Sequence, residues 1–252
     1  MDLGLRDRVY LMTGAGRGLG RAAAEQLVAE GARVVVTARS PQGVADVSAA
    51  LGDASCLPVV ADNAAEWTPD RLVEAAMSRW GRLDGALVSV GGPVYGPVTA
   101  MSDEQWRTAF ESVFLGTVRL ARTLAGVLGD GGSLVFVLSS SVRQPIAGLA
   151  ISNGLRPGLA MVAKTLADEL GPAGIRVNGL MPARIDTSRV RELDTRGGDP
   201  EATRAQAASA IPLRRYGTPE EFGRVAAFVL SPAASYITGA MIPVDGGAMR
   251  PL

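Results

Sequence analysis

The sequence has no histidine, one cysteine, and one lysine among its 25 basic residues. Histidine is the commonest general base and metal ligand, so its absence leads us to expect no metal site. The single cysteine, Cys56, cannot form an internal disulfide, which is typical of a reducing, cytoplasmic compartment. Aromatic residues make up only 5% of the chain, so any role for a phenol must fall to one of four tyrosines.

An excess of charge and long apolar runs are also lacking. The formal net charge is zero, which gives no electrostatic reason to expect nucleic acid or an anionic membrane as a partner. The first ten residues, MDLGLRDRVY, carry charges and are too poor in apolar residues for a signal peptide or a membrane span. The chain has 252 residues, 47% of them hydrophobic, and we expect one domain over 1–252.

What the sequence does contain is a regular alternation of apolar runs and helical patterns. The runs are rich in β-branched residues and almost continuously hydrophobic, which indicates strands buried on both faces. The alternation predicts an α/β fold, a Rossmann-type doubly wound parallel sheet of about seven strands with helices on both faces. The expected strands are 8–14, 32–38, 56–62, 85–91, 133–139, 175–182 and 240–247. The polar segment 184–216 interrupts the alternation, and we expect it to form a mobile lid near a ligand site.

A glycine-rich loop, TGAGRGLG (13–20), lies between the first strand and the first helix. Gly14 permits the tight turn, Gly18 lets the backbone approach a pyrophosphate, and Gly20 lets helix and strand pack closely. The N–H groups at the start of the helix would then face the phosphates. This arrangement predicts a dinucleotide site, although a glycine-rich turn without a ligand has the same composition.

The end of the second strand favours NADP(H) as the dinucleotide. A carboxylate there would bind the adenosine ribose of NAD(H), but this strand ends in Ala38 and Arg39. Arg39, together with Arg17 of the glycine loop, would pair with a 2′-phosphate. Asp62 ends the third strand and would accept from the adenine amino group, or simply cap the following helix. The alternative for both arginines is a solvated surface position.

Taken together, these motifs resemble the short-chain dehydrogenase/reductase family nearly from end to end. TGAGRGLG is similar to its glycine loop, GRLDGALVSVGG (81–92) to its fourth strand, and GTPEEFGRVAAFVLSPAASYITGAMIPVDGG (217–247) to its C-terminal helix and strand. Within the family, the chain looks most like the 3-oxoacyl-carrier-protein reductases. The resemblance implies a reductase acting on a small carbonyl compound and a homo-oligomer, either a tetramer or a dimer. It also implies cofactor contacts from Leu19, Asn63, Gly91, Ile185 and Thr187.

The same resemblance reveals where the chain departs from the family. The family's chemistry uses an asparagine, a serine, a tyrosine and a lysine. Aligning AKTLADELG (163–171) with the end of the catalytic helix places Ser152 at the tyrosine position and Arg156 at the lysine position. Ser139 falls at the serine position and Val113 at the asparagine position. No tyrosine of the chain is followed by a lysine four residues later, so the usual acid–base pair is absent.

We hypothesise that hydrogen-bond donors replace this pair. Ser139 and Ser152 would bind the substrate oxygen, and Arg156 would hold the nicotinamide ribose and polarise the carbonyl while solvent delivers the proton. Pro157 is expected to kink or delay the helix, and it disfavours helical geometry at Arg156. Two alternatives remain open: a non-redox enzyme (dehydratase, isomerase or cyclase), and a cofactor-binding protein without catalysis.

The remaining candidates for an acid are the tyrosines and the lysine. Tyr95, in a loop after the fourth strand, is either a substitute acid or an aromatic that packs this Gly/Pro-rich loop. Tyr10 is expected in the core and Tyr236 in a structural role, while Tyr216 lies at the end of the lid. Lys164 lies about 12 Å beyond Arg156 along the helix, and we expect it to face solvent or an interface.

Overall fold

The computed structural model describes residues 2–196 and 198–250 of the chain. Within them, seven parallel strands form one sheet in the order β3-β2-β1-β4-β5-β6-β7, and the chain is a single α/β domain. The strands are β1 (Val9–Met12), β2 (Arg33–Ala38), β3 (Cys56–Val60), β4 (Gly85–Val88), β5 (Ser133–Val137), β6 (Arg176–Pro182) and β7 (Met241–Val244). The predicted doubly wound sheet is confirmed, and the strands are shorter than their apolar runs because the run ends pass into loops.

The helices cover both faces of this sheet. They are α1 (Gly18–Ala29), α2 (Pro41–Leu51), α3 (Thr68–Trp80), α4 (Asp103–Ala109), α5 (Gly116–Ala125), α6 (Ala150–Leu170), α7 (Ser188–Thr195), α8 (Pro200–Ala210) and α9 (Pro219–Leu230). Helices α3, α5 and α6 share one buried apolar cluster with the sheet, and α1, α2 and α9 share another on the opposite face. Burial of the strands between these two clusters explains why their sequences are apolar without alternation.

Helix α6 runs without interruption through Pro157, so the expected break at this residue is wrong. The helix buries Ile151, Leu155 and Leu159 against the sheet. Gly158, next to the proline, faces the ring of Phe114, and a side chain at that position would clash with the ring. Packing along most of the helix therefore outweighs the one main-chain hydrogen bond that a proline removes. Helical geometry also holds at Arg156, contrary to the bias expected before a proline.

The polar segment 184–216 is largely helical, since it contains α7 and α8. Asp186 bonds to Arg191 at 2.8 Å and to both terminal nitrogens of Arg204 at 3.0 and 2.9 Å. Asp194, which is buried, accepts from Arg184 at 2.9 Å and from the hydroxyl of Tyr216 at 3.1 Å. These ion pairs and this hydrogen bond, rather than an apolar core, connect α7 and α8 to the segment that follows β6.

Candidate active site and cofactor cleft

A cavity of about 670 Å³ lies at the carboxyl ends of the strands on the β3-β2-β1-β4 side of the sheet. Its wall contains the glycine loop, the ends of β2 and β3, and the segment that follows β4. One side of the α4 region closes it, from Glu104 to Val113. Ligands of open α/β sheets bind at this edge, where the strand order reverses from β1 to β4.

The glycine loop has the geometry that the sequence predicts. Gly14 has φ +57°, and a Cβ there would lie 2.5 Å from the carbonyl oxygen of Ser89. A Cβ on Gly20 would lie 2.7 Å from the carbonyl oxygen of Gly14, so the helix start rests directly on the loop. Helix α1 has no side-chain cap and no acidic residue in its first turn, which leaves its first N–H groups available to an anion. Leu19 is in the first turn, and Gly18, with φ +60°, lies against Thr187.

Two guanidinium groups line the adenosine end of the cavity. Arg17 and Arg39 are exposed, and in the described part of the chain neither makes a side-chain hydrogen bond or an ion pair. The residue before Arg39 is Ala38, which also lines the cavity, so β2 ends without a carboxylate. Such a pair of unpaired cations suits a 2′-phosphate, and the end of β2 supplies no carboxylate to accept from a ribose diol.

Asp62 and Asn63 lie in the part of the cavity wall that follows β3. One oxygen of the Asp62 carboxylate accepts from the main-chain N–H of Ala64 at 3.0 Å, so the side chain caps the turn after β3. Both residues line the cavity. The amide of Asn63 donates to the carbonyl of Ser112 at 2.6 Å, and this bond joins the loop after β3 to the helix across the cavity. The Asp62 side chain thus caps this turn and not helix α3, which has no side-chain cap. The contact of Asp62 with adenine remains a prediction.

The serines of the candidate catalytic set meet between β5 and α6. The hydroxyl oxygen of Ser139 accepts from the N–H of Ser141 at 3.1 Å, which leaves the Ser139 O–H free to donate. The hydroxyls of Ser141 and Ser152 are 3.4 Å apart, and both side chains are buried. Sequence reasoning identified Ser139 and Ser152 but missed Ser141, for which the run of three serines at 139–141 was the available signal.

Arg156 points inward from α6, and the residue is only 5% exposed. Its guanidinium donates to the carbonyl of Val137 at 2.6 Å and to the carbonyl of Val90 at 3.0 Å. Burial lowers the pKa of this guanidinium to about 10, so it stays a cation at neutral pH. Because Val90 belongs to the cavity wall, Arg156 lies directly behind that wall. Ser139, Ser152 and Arg156 themselves are not part of the wall formed by the described residues.

The helical part of the cavity wall contains a π-helical segment, Phe110–Leu115, between α4 and α5. Val113 is buried in it and lines the cavity. The carbonyl of Val113 accepts from the hydroxyl of Thr117 at 2.8 Å. The segment therefore presents an apolar side chain to the cavity at this position.

The polar segment 184–216 contacts the cavity wall through Arg189. Arg189, in α7, donates to the carbonyl of Pro93 at 2.8 Å and lies against Gly92, next to Gly91 of the cavity wall. Sequence reasoning missed this contact. Ile185 is buried, and the side chain of Thr187 caps α7 by accepting from the N–H of Val190 at 3.3 Å. Thr187 lies near the glycine loop through its contact with Gly18, and Ile185 lies against Gly217.

The tyrosines and the lysine lie in varied surroundings. Tyr10 is buried as predicted, and Lys164 is exposed as predicted. The ring of Tyr95 packs against Gly148, and the guanidinium of Arg196 lies 5.3 Å from its centre. Tyr236 is fully exposed, so the expected structural role is wrong: its side chain packs against nothing in the described residues. Tyr216 is buried in the ion-pair network of the polar segment.

This arrangement fits a nicotinamide dinucleotide. The uncapped helix start suits a pyrophosphate, the two free guanidinium groups suit a 2′-phosphate, and the cleft is open along the strand ends. The nearby serines and Arg156 are donors and a cation, which can stabilise a developing oxyanion. No helix in the part of the chain that the structure describes combines the length and apolarity needed to cross a bilayer.

The chain matches known proteins over nearly its whole length. Residues 14–249 match the family model described as enoyl-(acyl carrier protein) reductase. An uncharacterized oxidoreductase of Mycobacterium tuberculosis is 36% identical over 251 residues, which cover 96% of this chain and 92% of the relative. Levodione reductase of Leifsonia aquatica is 34% identical over 256 residues, with 96% and 94% covered. The crystal structure of L-sorbose reductase from Gluconobacter frateurii, complexed with NADPH and L-sorbose, superimposes with a TM-score of 0.94 at 30% identity, with both chains fully covered. The chain belongs to the short-chain dehydrogenase/reductase family of oxidoreductases.

Proposed function

We propose that the protein is an NADP(H)-dependent reductase of small carbonyl compounds. The observation that carries this proposal is the pair of unpaired guanidinium groups, Arg17 and Arg39, at the adenosine end of an open cleft whose β2 strand ends in Ala38. A 2′-phosphate neutralises these charges, whereas the ribose of NAD(H) has no carboxylate to bind. Among relatives, the L-sorbose reductase structure is described as complexed with NADPH.

The chemistry rests on donors instead of a phenol. NADPH, when bound, supplies the hydride. The free O–H of Ser139 and the hydroxyl of Ser152 donate to the substrate oxygen, and one well-placed donor of this kind contributes ~3–4 kcal/mol to the transition state. Arg156 holds a positive charge behind the wall that Val90 forms, where the low dielectric strengthens its effect on a nearby oxyanion.

Solvent provides the proton. The three candidate catalytic side chains are hydroxyls and a guanidinium, and the pKa of Arg156, although lowered by burial, remains at about 10. None of them is a good acid near neutrality. Positioned proton transfer contributes roughly 10²- to 10⁴-fold to a reaction, so this site should be slower than one equipped with tyrosine and lysine.

Several finer features belong to the same proposal. The segment after β4 lines the cavity with valine and proline side chains, which favours a hydrophobic carbonyl substrate. Segment 184–216 acts as a lid, since Arg189 connects it to the wall at Pro93. The exposed side chains of Phe110 and Met161 favour a homo-oligomer, a tetramer or a dimer. The single cysteine, Cys56, favours a cytoplasmic location.

A titration with NADPH followed by a panel of ketones and quinones tests the proposal. The fluorescence of the bound cofactor reports binding, and the decrease in absorbance at 340 nm reports the oxidation of NADPH. Tight binding with consumption in the presence of a carbonyl compound is the expected result. If NADPH does not bind, the cofactor assignment and the proposed reaction both fail.

A cofactor-binding protein without catalysis is the second candidate. Arg156 favours it, because its guanidinium already donates to the carbonyls of Val137 and Val90, and the described residues place no acid–base pair beside it. This candidate predicts NADPH binding with no conversion of any carbonyl compound. Conversion of a substrate without net loss of NADPH would instead point to non-redox chemistry.

A further inference from the structure

Thr37, near the end of β2, has a hydroxyl without a hydrogen-bond partner. The residue is 3% exposed, and its Oγ1 is the one buried side-chain nitrogen or oxygen found unpaired in residues 2–196 and 198–250. Buried polar groups in folded proteins are nearly always paired, because an unpaired group loses its hydrogen bonds to water without gaining one in the protein. This exception therefore calls for a partner from outside residues 2–196 and 198–250.

Other buried threonines near the cleft show how the chain normally satisfies such a group. The hydroxyl of Thr13 donates to the carbonyl of Ser89 at 2.8 Å and accepts from its N–H at 2.9 Å. Thr68 donates to the carbonyl of Asp62 at 2.5 Å, and Thr117 to that of Val113 at 2.8 Å. Thr37 differs from these residues because no group in the described part of the chain pairs with its hydroxyl.

The position of Thr37 points to the ligand. Thr37 lines the same cavity as Ala38, Ala61 and Asp62 and the two free guanidinium groups, with its hydroxyl oxygen buried behind the cavity surface. Its carbonyl accepts from the N–H of Ala15 at 3.0 Å, which fixes the residue beside the glycine loop. Rotation about χ1 exchanges the hydroxyl and the methyl group on the cavity wall without moving the strand.

We infer that Thr37 is a binding residue for the adenosine of the dinucleotide, and that its hydroxyl gains its partner only when the nucleotide is bound. The inference rests on the proposed function, since it takes the cavity to be the cofactor cleft. A valine would fill the same space and suits a strand as well. The hydroxyl thus serves the ligand, and the protein without ligand is better off without it.

The test uses Thr37→Val in the full-length protein, with Thr37→Ser to retain the hydroxyl. Binding of 2′,5′-ADP and of 5′-AMP is measured by isothermal titration calorimetry, and the melting temperature is measured without ligand. Thr37→Val should bind both nucleotides about three- to tenfold more weakly, the range expected for one hydrogen bond. Its melting temperature without ligand should be unchanged or higher, and Thr37→Ser should bind like the wild type.

Thr117→Val is the matched control for stability, because it removes a buried threonine hydroxyl that already has a partner, the carbonyl of Val113, and Thr117 itself is not part of the cavity wall. It should lower the melting temperature. If Thr37→Val lowers it equally, or binds both nucleotides as tightly as the wild type, the inference is wrong. A loss confined to 2′,5′-ADP, or a loss shared by Thr37→Ser, also overturns it. If the wild type binds neither nucleotide, the proposed function fails first, which separates the two outcomes.

Discussion

The guanidinium of Arg156 donates to the carbonyl of Val137 at 2.6 Å, and this bond joins α6 to the end of β5. A second bond, to Val90, reaches the segment after β4. One buried cation thus connects three elements that surround the site. In the account proposed above, Arg156 both positions the wall of the cleft and supplies positive charge to it.

Replacing Arg156 with methionine tests its contributions to stability and to the reaction. Loss of the two bonds leaves two buried carbonyls without donors, and the free energy of unfolding should fall by about 1–3 kcal/mol. The reductase rate should also fall, because the charge is gone. Urea denaturation and steady-state kinetics measure the two effects.

Arg176→Met is the matched control for this variant. Arg176 is also a buried arginine, but its guanidinium donates to main-chain carbonyls at the end of α9 and nearby, away from the cleft. It should lose stability and keep its NADPH affinity and its kcat. If Arg156→Met also keeps its kcat in the folded protein, Arg156 has no role in the reaction.

The pH dependence of the reaction should lack the usual neutral ionisation. Without histidine and without a tyrosine–lysine pair, kcat/KM should stay nearly flat between about pH 6 and 9. It should decrease above about pH 10, because burial lowers the pKa of Arg156 to about 10 and its cation is lost there. A kinetic profile measured from neutral to alkaline pH checks this expectation, and a clear bell-shaped optimum near neutrality would contradict it.

Ser139→Ala tests the oxyanion donor. Its O–H is free to donate, so its removal should lower kcat by about 10²- to 10³-fold without changing NADPH affinity. Ser133→Ala is the control, since Ser133 is a buried serine at the start of β5, far from the carboxyl ends of the strands. Rapid-mixing kinetics with saturating cofactor distinguish the chemical step from binding. A kcat for Ser139→Ala equal to that of the wild type would remove Ser139 from the mechanism.

Arg39→Ala should change the choice of cofactor. Removing a charge-assisted bond to the 2′-phosphate should weaken NADPH binding by about 10- to 100-fold and leave NADH binding nearly unchanged. Arg122→Ala, an exposed arginine on α5 away from the cavity wall, is the control and should change neither. Fluorescence titrations with both cofactors give the dissociation constants. Equal losses for NADPH and NADH would show that Arg39 does not read the 2′-phosphate.

Asp186 should make the lid sensitive to acid. The hydrogen bonds from Arg204 and then Arg191 lower the pKa of this carboxyl to about 2, below its ordinary value of 3.8. The stabilisation it gives is therefore present above about pH 4 and is lost as the pH falls towards 2. Asp186→Asn should remove this pH dependence and expose α7 and α8 to proteolysis at neutral pH. Limited proteolysis monitored by mass spectrometry checks the second effect, and an unchanged cleavage rate would contradict it.

The sequence predicted the sheet and the glycine loop because both depend on local patterns. Apolar runs and the glycines at 14 and 20 report burial and close approach directly, as the clash of a Cβ at Gly14 with Ser89 illustrates. The break at Pro157 was mispredicted, since tertiary packing of α6 outweighs a local preference. The contact of Arg189 with Pro93 and the unpaired hydroxyl of Thr37 could not be predicted, because each depends on how residues far apart in sequence meet in the folded chain. Ser141 was missed although the run of three serines at 139–141 was an available signal.

The central claim is that hydride passes from NADPH to a carbonyl carbon in a site without the tyrosine–lysine pair. The most direct measurement uses NADPH deuterated at the nicotinamide C4, offered with the carbonyl panel, and mass spectrometry of the product alcohol. The account predicts deuterium at the former carbonyl carbon, with a rate that falls in Arg156→Met and not in Arg176→Met. NADPH that binds tightly but transfers no deuterium to any compound of the panel would contradict it.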